Sequence, residues 1–419
     1  MSQGKEKPEQ RKAQGRISRR GFIAGAGAAA LSFTIIKPES VRGSKANSKI
    51  NLGIIGCGGR GTWITELFVK HGGYNIVAAA DYFQDRADAF GKKFGVDPSC
   101  CYAKLSCYQR LLEQKGIDAV AIESPPYFHP EQAAAGIEAG CHVYLAKPIA
   151  VDVPGCNIIE TSGKKATWKK LCFLIDFQTR ANEFYKKAIK VVHDGGIGEI
   201  AFGEASYHAD CPWKGQFKFL QDNPGDPENR LRAWGLDRIL SGDIITEQNI
   251  HALDVASWMM NQPPLFAAGT AGRKVRTDLG NCRDHFALLF QYADNVGITF
   301  SSRQFNGHGS QGGIRNRLFG SKSVIETEYG GTVIVRGENV YQGGKTEGIY
   351  GEGTENNIAQ FHKNITSGNF ENETVGASVR SNLVTILGRT AAYKGEKVYW
   401  DSMIKSTEKL EADLKGLKA

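Results

Sequence analysis

Nowhere among the nine cysteines of this chain do two stand in a Cys-x-x-Cys spacing. A zinc ribbon or knuckle is therefore excluded as the organising device. The cysteine count is odd, and the adjacent Cys100 and Cys101 cannot bridge one another without strain, so a disulfide scaffold is not indicated either. These residues read mostly as small buried apolar side chains. Long apolar runs are also missing. The uncharged stretch from Gly21 to Ile36 falls short of the ~20 residues a membrane span requires. An excess of one charge is missing from the body of the chain. The first fifty residues hold 11 Lys/Arg against 3 Asp/Glu, and the remainder carries 41 of each sign, so the formal +8 belongs to the start alone. Nucleic-acid binding by the body has no electrostatic footing.

What the chain does have begins with a leader, residues 1–48. Its basic region runs through Arg20 and is followed by the Gly/Ala-rich stretch. Ser18-Arg19-Arg20-Gly21-Phe22 resembles the twin-arginine export signal. Export of an already folded chain to the periplasm is the expectation, and it reconciles nine free thiols with an oxidising destination.

From residue 49 to 172, short apolar runs alternate with amphipathic stretches. "KINLGIIG", "YNIVAAAD", "IDAVAIESP" and "HVYLAKP" read as strands, with helices at 62–72, 84–94 and 130–139. That alternation predicts a doubly wound parallel sheet of Rossmann type. After about residue 170 the pattern changes. A further strand, "KLCFLIDFQ", and a helix at 181–194 open a second α/β domain, 173–419, dominated by long alternating segments between 199 and 336. These predict a large, mainly antiparallel open sheet. Helices are expected at 246–260, 355–367 and 376–394, the last packing back on the first domain. Residues 209–242 read as one long loop, and loops of that length usually serve function.

"GIIGCGGRG" carries the most specific local signal. Gly56, Gly58 and Gly61 have the G-x-G-x-x-G spacing, with Cys57, Gly59 and Arg60 between them, directly after a strand and at the mouth of a helix. The first glycine permits the tight turn, the second admits the pyrophosphate, and the third lets helix and strand pack closely. Asp81 ends the next strand, where its carboxylate suits ribose hydroxyls and repels a 2′-phosphate, so NAD is expected rather than NADP. Ser124, Pro125, Pro126 and His129 follow a later strand at its carboxyl end, where ligands of open parallel sheets bind.

Taken together, the Gly-rich turn, Asp81, "SPPYFHPEQAAAGIEAGCHVYLAKP" and "EQNIHALDVASWMM" resemble the Gfo/Idh/MocA oxidoreductases over nearly all of residues 49–395. The resemblance implies a Rossmann domain followed by an α/β domain whose open sheet mediates homo-oligomers. The family's Glu-Lys-Pro falls on Ala146-Lys147-Pro148 and its Asp-x-x-x-His on Glu247 to His251. Asp254 matches an acidic position three residues after the histidine, and Arg180 stands where members often carry a basic residue toward the cofactor.

Oxidising a secondary alcohol needs a base for the hydroxyl proton and a cation steadying the developing alkoxide. Lys147 suits the second role and His251 the first. Glu247 at i−4 and Asp254 at i+3 are expected on the same helical face as His251, either able to orient its ring. Trp213 and Trp234 are candidate stacking platforms for a sugar. No metal is expected, since Glu247 and His251 lack a third ligand. An exported NAD enzyme has no nicotinamide pool outside the inner membrane, so it must hold and regenerate its cofactor. The leading expectation is an oxidoreductase acting on a secondary hydroxyl of a sugar or glycoside, interconverting glycoside and 3-keto-glycoside. The alternatives are an NAD-dependent redox-neutral glycosidase and a non-catalytic sugar- or cofactor-binding protein.

Overall fold

The computed structural model describes residues 49–419, so the expected leader lies outside the described residues. The first sheet contains β1 (Ile50–Ile55), β2 (Tyr74–Asp81), β3 (Cys101–Ala103), β4 (Ala119–Ile122), β5 (His142–Ala146) and β6 (Phe173–Asp176), in the order 3-2-1-4-5-6. Every pairing in it is parallel. Such a sheet is covered on both faces, which is why β4 reads as four consecutive buried apolar residues rather than an alternation. The strand order reverses between β1 and β4, and that switch point opens the crevice where ligands of this architecture bind.

The second sheet has nine strands: β7 (Ile200–Ala209), β8 (Phe266–Gly272), β9 (His285–Gln291), β10 (Gly297–Gln304), β11 (Gly313–Gly320), β12 (Ser323–Glu328), β13 (Thr332–Gly337), β14 (Tyr341–Lys345) and β15 (Val398–Tyr399). Their order is 14-13-12-11-7-10-9-8-15, antiparallel except for the parallel pair β7–β10. Along β9 and β10 buried and exposed residues alternate, so one face packs on helices and the other is open.

Several expectations need correction. The first sheet extends past residue 172, because β6 hydrogen-bonds to β5 as its sixth strand. The Val153–Trp168 helix between them begins at an N-cap, Asp152, whose Oδ1 accepts from Gly155 N at 2.7 Å. Residues 209–242 are not one loop. Asp226 caps a short helix at Pro227–Arg232, and Asp237 caps another at Arg238–Ser241. The helix expected over 246–260 is two pieces, Asp243–Glu247 and Ile250–Met260, broken at Gln248 and Asn249.

Thr374–Lys394 is a helix buried between the two halves of the molecule. Asn382 accepts from Ile149 N at 3.2 Å and donates to Ala150 O at 3.0 Å, fixing the backbone that follows β5. The start of this helix also covers the edge of the first sheet, where Ile175 N donates to Thr374 Oγ1. An uncovered edge would leave those amides without partners.

Candidate active site

One cavity of about 520 Å³ runs along the carboxyl ends of the first sheet and is walled on its far side by the second half of the chain. Its size suits a cofactor site. At its floor, Gly56 adopts φ +98°, and a Cβ there would meet Glu123 C and Ser124 N at 2.6 Å. A Cβ on Gly61 would lie 1.8 Å from Gly56 O, so only glycine lets the helix seat on the turn. Gly59 faces open space. The helix Gly59–His71 starts with no side-chain cap and no acid in its first turn, leaving its amides free for an anion. These features fit a dinucleotide pyrophosphate. Cys57 and Gly61 do not reach the cavity. The first contributes an amide to the turn, and the second contributes the close packing.

Asp81 lines the cavity but is partly engaged already. Its Oδ2 accepts from Cys57 N at 2.8 Å and its Oδ1 from Phe83 N at 2.9 Å. A carboxylate has lone pairs beyond these two bonds, so hydroxyls can still be accepted. Burial raises its pKa, opposed by the Phe83 amide and Arg86. Over this end, the Arg232 guanidinium sits 3.7 Å from the Phe83 ring centroid and bonds Asp85 at 3.1 Å. Trp213 and Trp234, whose rings are 4.9 Å apart, complete the wall. The C-terminal segment crosses the same region. Lys418 O accepts from Leu105 N, Lys418 N donates to Tyr82 Oη at 3.0 Å, and Leu410 N donates to Asp152 Oδ2 at 2.8 Å. Leu417 and Ala412 pack with Phe83, Leu231 and Trp234.

At the other end the wall is charged. Lys147 is buried and donates to Glu247 O at 2.8 Å, with Glu247 Oε1 at 3.4 Å. Burial lowers its pKa, and Glu247 partly restores it. Glu247 Oε2 accepts from Gln248 Nε2, and Gln248 Oε1 accepts from Tyr207 Oη, each at 2.5 Å. His251 lines the same cavity, and its Nδ1 has no partner among the described residues. Burial first, then Lys147 and Arg60, hold its pKa well below the usual histidine value, so the ring is neutral. Neither expected orienting carboxylate bonds it. The break at Gln248 turns Glu247 toward Lys147. Asp254 instead receives the Arg180 guanidinium at 2.8–3.1 Å.

That pairing also removes Arg180 from the cofactor. It lies over the Trp258 ring, outside the cavity lining. Ser124, Pro125, Pro126 and His129 all line the cavity as expected, and the buried His129 ring also staples two loops. Its ring nitrogens lie 2.7 Å from Ser124 O and 2.8 Å from Pro148 O, and burial takes its pKa down to about 4. Among the described residues, no group of three or more His, Cys, Asp or Glu could hold a metal, and no helix is long and apolar enough to cross a membrane.

Sequence reading alone passed over Glu123, Asp176, Gln178, Gln248, Tyr207, Tyr329 and Tyr350. Glu123 and Asp176 carried a signal, since each follows or ends a parallel strand as Asp81 does. Arg60, expected at the cofactor, lines the cavity but makes salt bridges to both, with Nε 2.9 Å from Glu123 Oε2 and Nη2 on Asp176, and Nη1 donates to Tyr350 Oη at 3.1 Å.

Residues 50–167 match the model of an oxidoreductase family with an NAD-binding Rossmann fold, and residues 185–326 match the GFO/IDH/MocA C-terminal domain. The chain is 28% identical over 203 residues to glycosyl hydrolase family 109 protein 3 of Phocaeicola vulgatus, covering 47% of this chain and 34% of that one. It is 29% identical over 170 residues to an alpha-N-acetylgalactosaminidase of Shewanella oneidensis, covering 39% and 36%. The matches thus span about a third of these relatives' length. Levoglucosan dehydrogenase, solved with NADH and levoglucosan, shares the fold at TM-score 0.67 and 17% identity, covering 84% of this chain and 99% of the other.

Proposed function

The chain belongs to the Gfo/Idh/MocA oxidoreductase family and binds NAD, and we propose that it oxidises a secondary hydroxyl of a sugar or glycoside while keeping that cofactor through turnover. The observation that carries this reading is the convergence of Lys147 and His251 on one cavity from two halves of the chain. Bound NAD supplies a hydride acceptor and, once reduced, the donor that would return the hydride to a second sugar or keto-sugar, which closes the cycle. Everything else falls to the protein. The neutral His251 ring, which lines the cavity, accepts the hydroxyl proton. The Lys147 ammonium, in a water-poor pocket, steadies the developing negative charge on the oxygen. Glu247 holds Lys147 in place, and Gln248 and Tyr207 hold Glu247. The paired tryptophans, expected at the sugar, wall the adenosine end instead, beside Phe83 and Leu231.

Retention of the cofactor is supported by the bracing of the adenosine-end wall from behind. The C-terminal segment ties Tyr82, Leu105 and Asp152 together and packs on Leu231 and Phe83. With the leader read as a twin-arginine signal, the protein works in the periplasm, loaded before export. A second copy of the chain packs on the open sheet face, where Phe202 and Phe319 stack at 4.6 Å with Phe202 exposed.

The relatives named glycosyl hydrolases favour a second reading. In it the sugar is oxidised transiently, the acidified neighbouring proton and the aglycone are eliminated, water adds across the resulting double bond, and the ketone is reduced back. Purified protein treated with a panel of glycosides separates the two. Lasting growth or bleaching of the reduced-nicotinamide absorbance supports the oxidoreductase. Release of a chromogenic aglycone with no net redox change supports the glycosidase. Sugar binding with neither signal overturns both.

A further inference from the structure

Three adjacent strand ends lie at the charged end of the cavity, Asp176 just behind its lining. Glu123 follows β4, Ala146 ends β5, and Asp176 ends β6 in register with it. The side chains of Glu123 and Asp176 are fully buried (0% exposed), and Ala146 between them offers no polar atom. Arg60 lies against both. Asp176 is satisfied further, since Asn357 Nδ2 donates to its Oδ1 at 2.8 Å. Glu123 is not. Both its oxygens are buried without a hydrogen-bond partner among the described residues, because Arg60 Nε approaches at 2.9 Å outside hydrogen-bond geometry. Among the described residues its charge is met only by the Arg60 ion pair, and that guanidinium is shared with Asp176.

The charges around it do not cancel. Arg60 and Lys147 bring two positive charges, while Glu123, Asp176 and Glu247 bring three negative ones. A dinucleotide with its pyrophosphate at the β1 turn and its adenosine toward β2 extends its nicotinamide half across β4 to β6. The oxidised ring carries a positive charge and the reduced ring carries none.

We propose that Arg60, Glu123 and Asp176 form a built-in counter-charge for the nicotinamide, which holds the bound cofactor toward its oxidised form. Glu123 and Asp176 share the single Arg60 charge and so leave one negative charge in excess, and Arg60 keeps together two carboxylates that would otherwise repel. Burial pushes the Glu123 carboxyl up to about 7, with Arg60 pulling it back and Asp176 raising it again. A second cation beside it therefore favours its ionised state. The inference rests on the NAD reading but not on the identity of the sugar. It explains how an enzyme without an external cofactor pool would rest in the state ready to oxidise. In balance, the couple takes up two electrons and one proton, and the site loses one positive charge.

The test is a mediator-coupled redox titration of the cofactor-loaded protein, with no sugar present. The bound couple is expected to have a lower midpoint than free NAD. Glu123→Gln is expected to lower the preference for the oxidised form about tenfold, a rise of about 30 mV for a two-electron couple. Glu123→Asp should stay within about twofold of wild type, and Arg60→Gln should shift the opposite way. A wild-type midpoint at or above that of free NAD overturns the proposal even if no variant folds. So does a Glu123→Gln protein that holds NAD with an unchanged midpoint. If the loaded protein shows the expected midpoints but oxidises no sugar, the functional reading fails and this one stands.

Discussion

At the adenosine end of the cavity, Phe83 lies under Arg232 and beside Leu231, Trp234 and Leu417, and the polar contacts there are mostly to backbone. At the nicotinamide end, Lys147, Glu123, Asp176 and Glu247 are nearly free of solvent, with a partly exposed Arg60 between two of them. The first end holds a ligand by shape and by amides, which tolerate either charge state of what lies beyond them. The second end is an arrangement of buried charges, each of which is expensive unless paired. Binding and chemistry are thus assigned to different materials. The difference predicts that substitutions at one end alter retention and substitutions at the other alter turnover.

The largest effect is expected at the charged end. Lys147→Met should reduce turnover by roughly 10²–10³ or more, the scale seen when a donor to a developing oxyanion is removed. His251→Ala should cost about 10²–10⁴. Both proteins should retain NAD, because the turn at Gly56 and the helix amides are untouched. Steady-state rates, with cofactor content measured on the same samples, check this. Loss of NAD from either variant would break the separation between the two ends.

Removing residues 405–419 addresses the other end. The bonds from Leu105, Lys418 and Leu410 would go, along with the packing of Leu417 on Phe83. The lining residues Tyr82, Phe83 and Leu105 would lose their backing, and if that costs the ligand about 1.4 kcal/mol, the worth of about one such bond, NAD should dissociate roughly tenfold faster. Turnover with saturating NAD should barely change. Dissociation can be followed by chase with labelled cofactor. An unaltered off-rate would mean that the segment merely covers the surface.

This division also explains what could be read from the sequence. The Rossmann half was legible because its strands are apolar runs between amphipathic helices, two of them stopped at Gly72 and Gly95, and because glycine spacing reports backbone geometry directly. Gly56, with its positive φ, and Gly61, with a neighbour 1.8 Å from any Cβ, are positions where residue type follows from local structure. The charged end is a tertiary fact. Arg60 meets Asp176 across 116 residues, and Lys147 meets Glu247 across 100. Helical periodicity assigned Glu247 and Asp254 to His251, but the break at Gln248 and the distant Arg180 decided their partners instead. The capped short helices within 209–242 were a different miss. Asp226-Pro227 and Asp237 were readable N-cap signals obscured by the Gly, Pro and Asp around them.

A smaller effect sharpens the account of His251. Its lowered pKa keeps the ring neutral, and therefore able to accept a proton, below the ordinary histidine range. The acidic limb of the kcat/KM profile should accordingly fall below pH ~6.5. A limb above that value would show that the histidine is charged at rest and cannot be the base.

The smallest effect separates burial from function along a single strand. β5 carries His142 at its start and leads to Lys147 just past its end. His142 stacks on Phe370 and accepts from Cys172 N at 2.9 Å, away from the cavity, and burial takes its pKa down to about 4. Between about pH 4 and 6.5 the unfolded chain binds a proton at this residue and the folded chain does not. Stability therefore falls as the pH falls through that window, by at most about 1.4 kcal/mol per pH unit. His142→Asn should flatten the dependence of unfolding free energy on pH by that slope and leave the kcat/KM profile in place. A variant that shifted the acidic limb of the activity profile instead would mean that the two ends of β5 are electrostatically coupled. The nicotinamide end could not then be treated as a separate charged compartment.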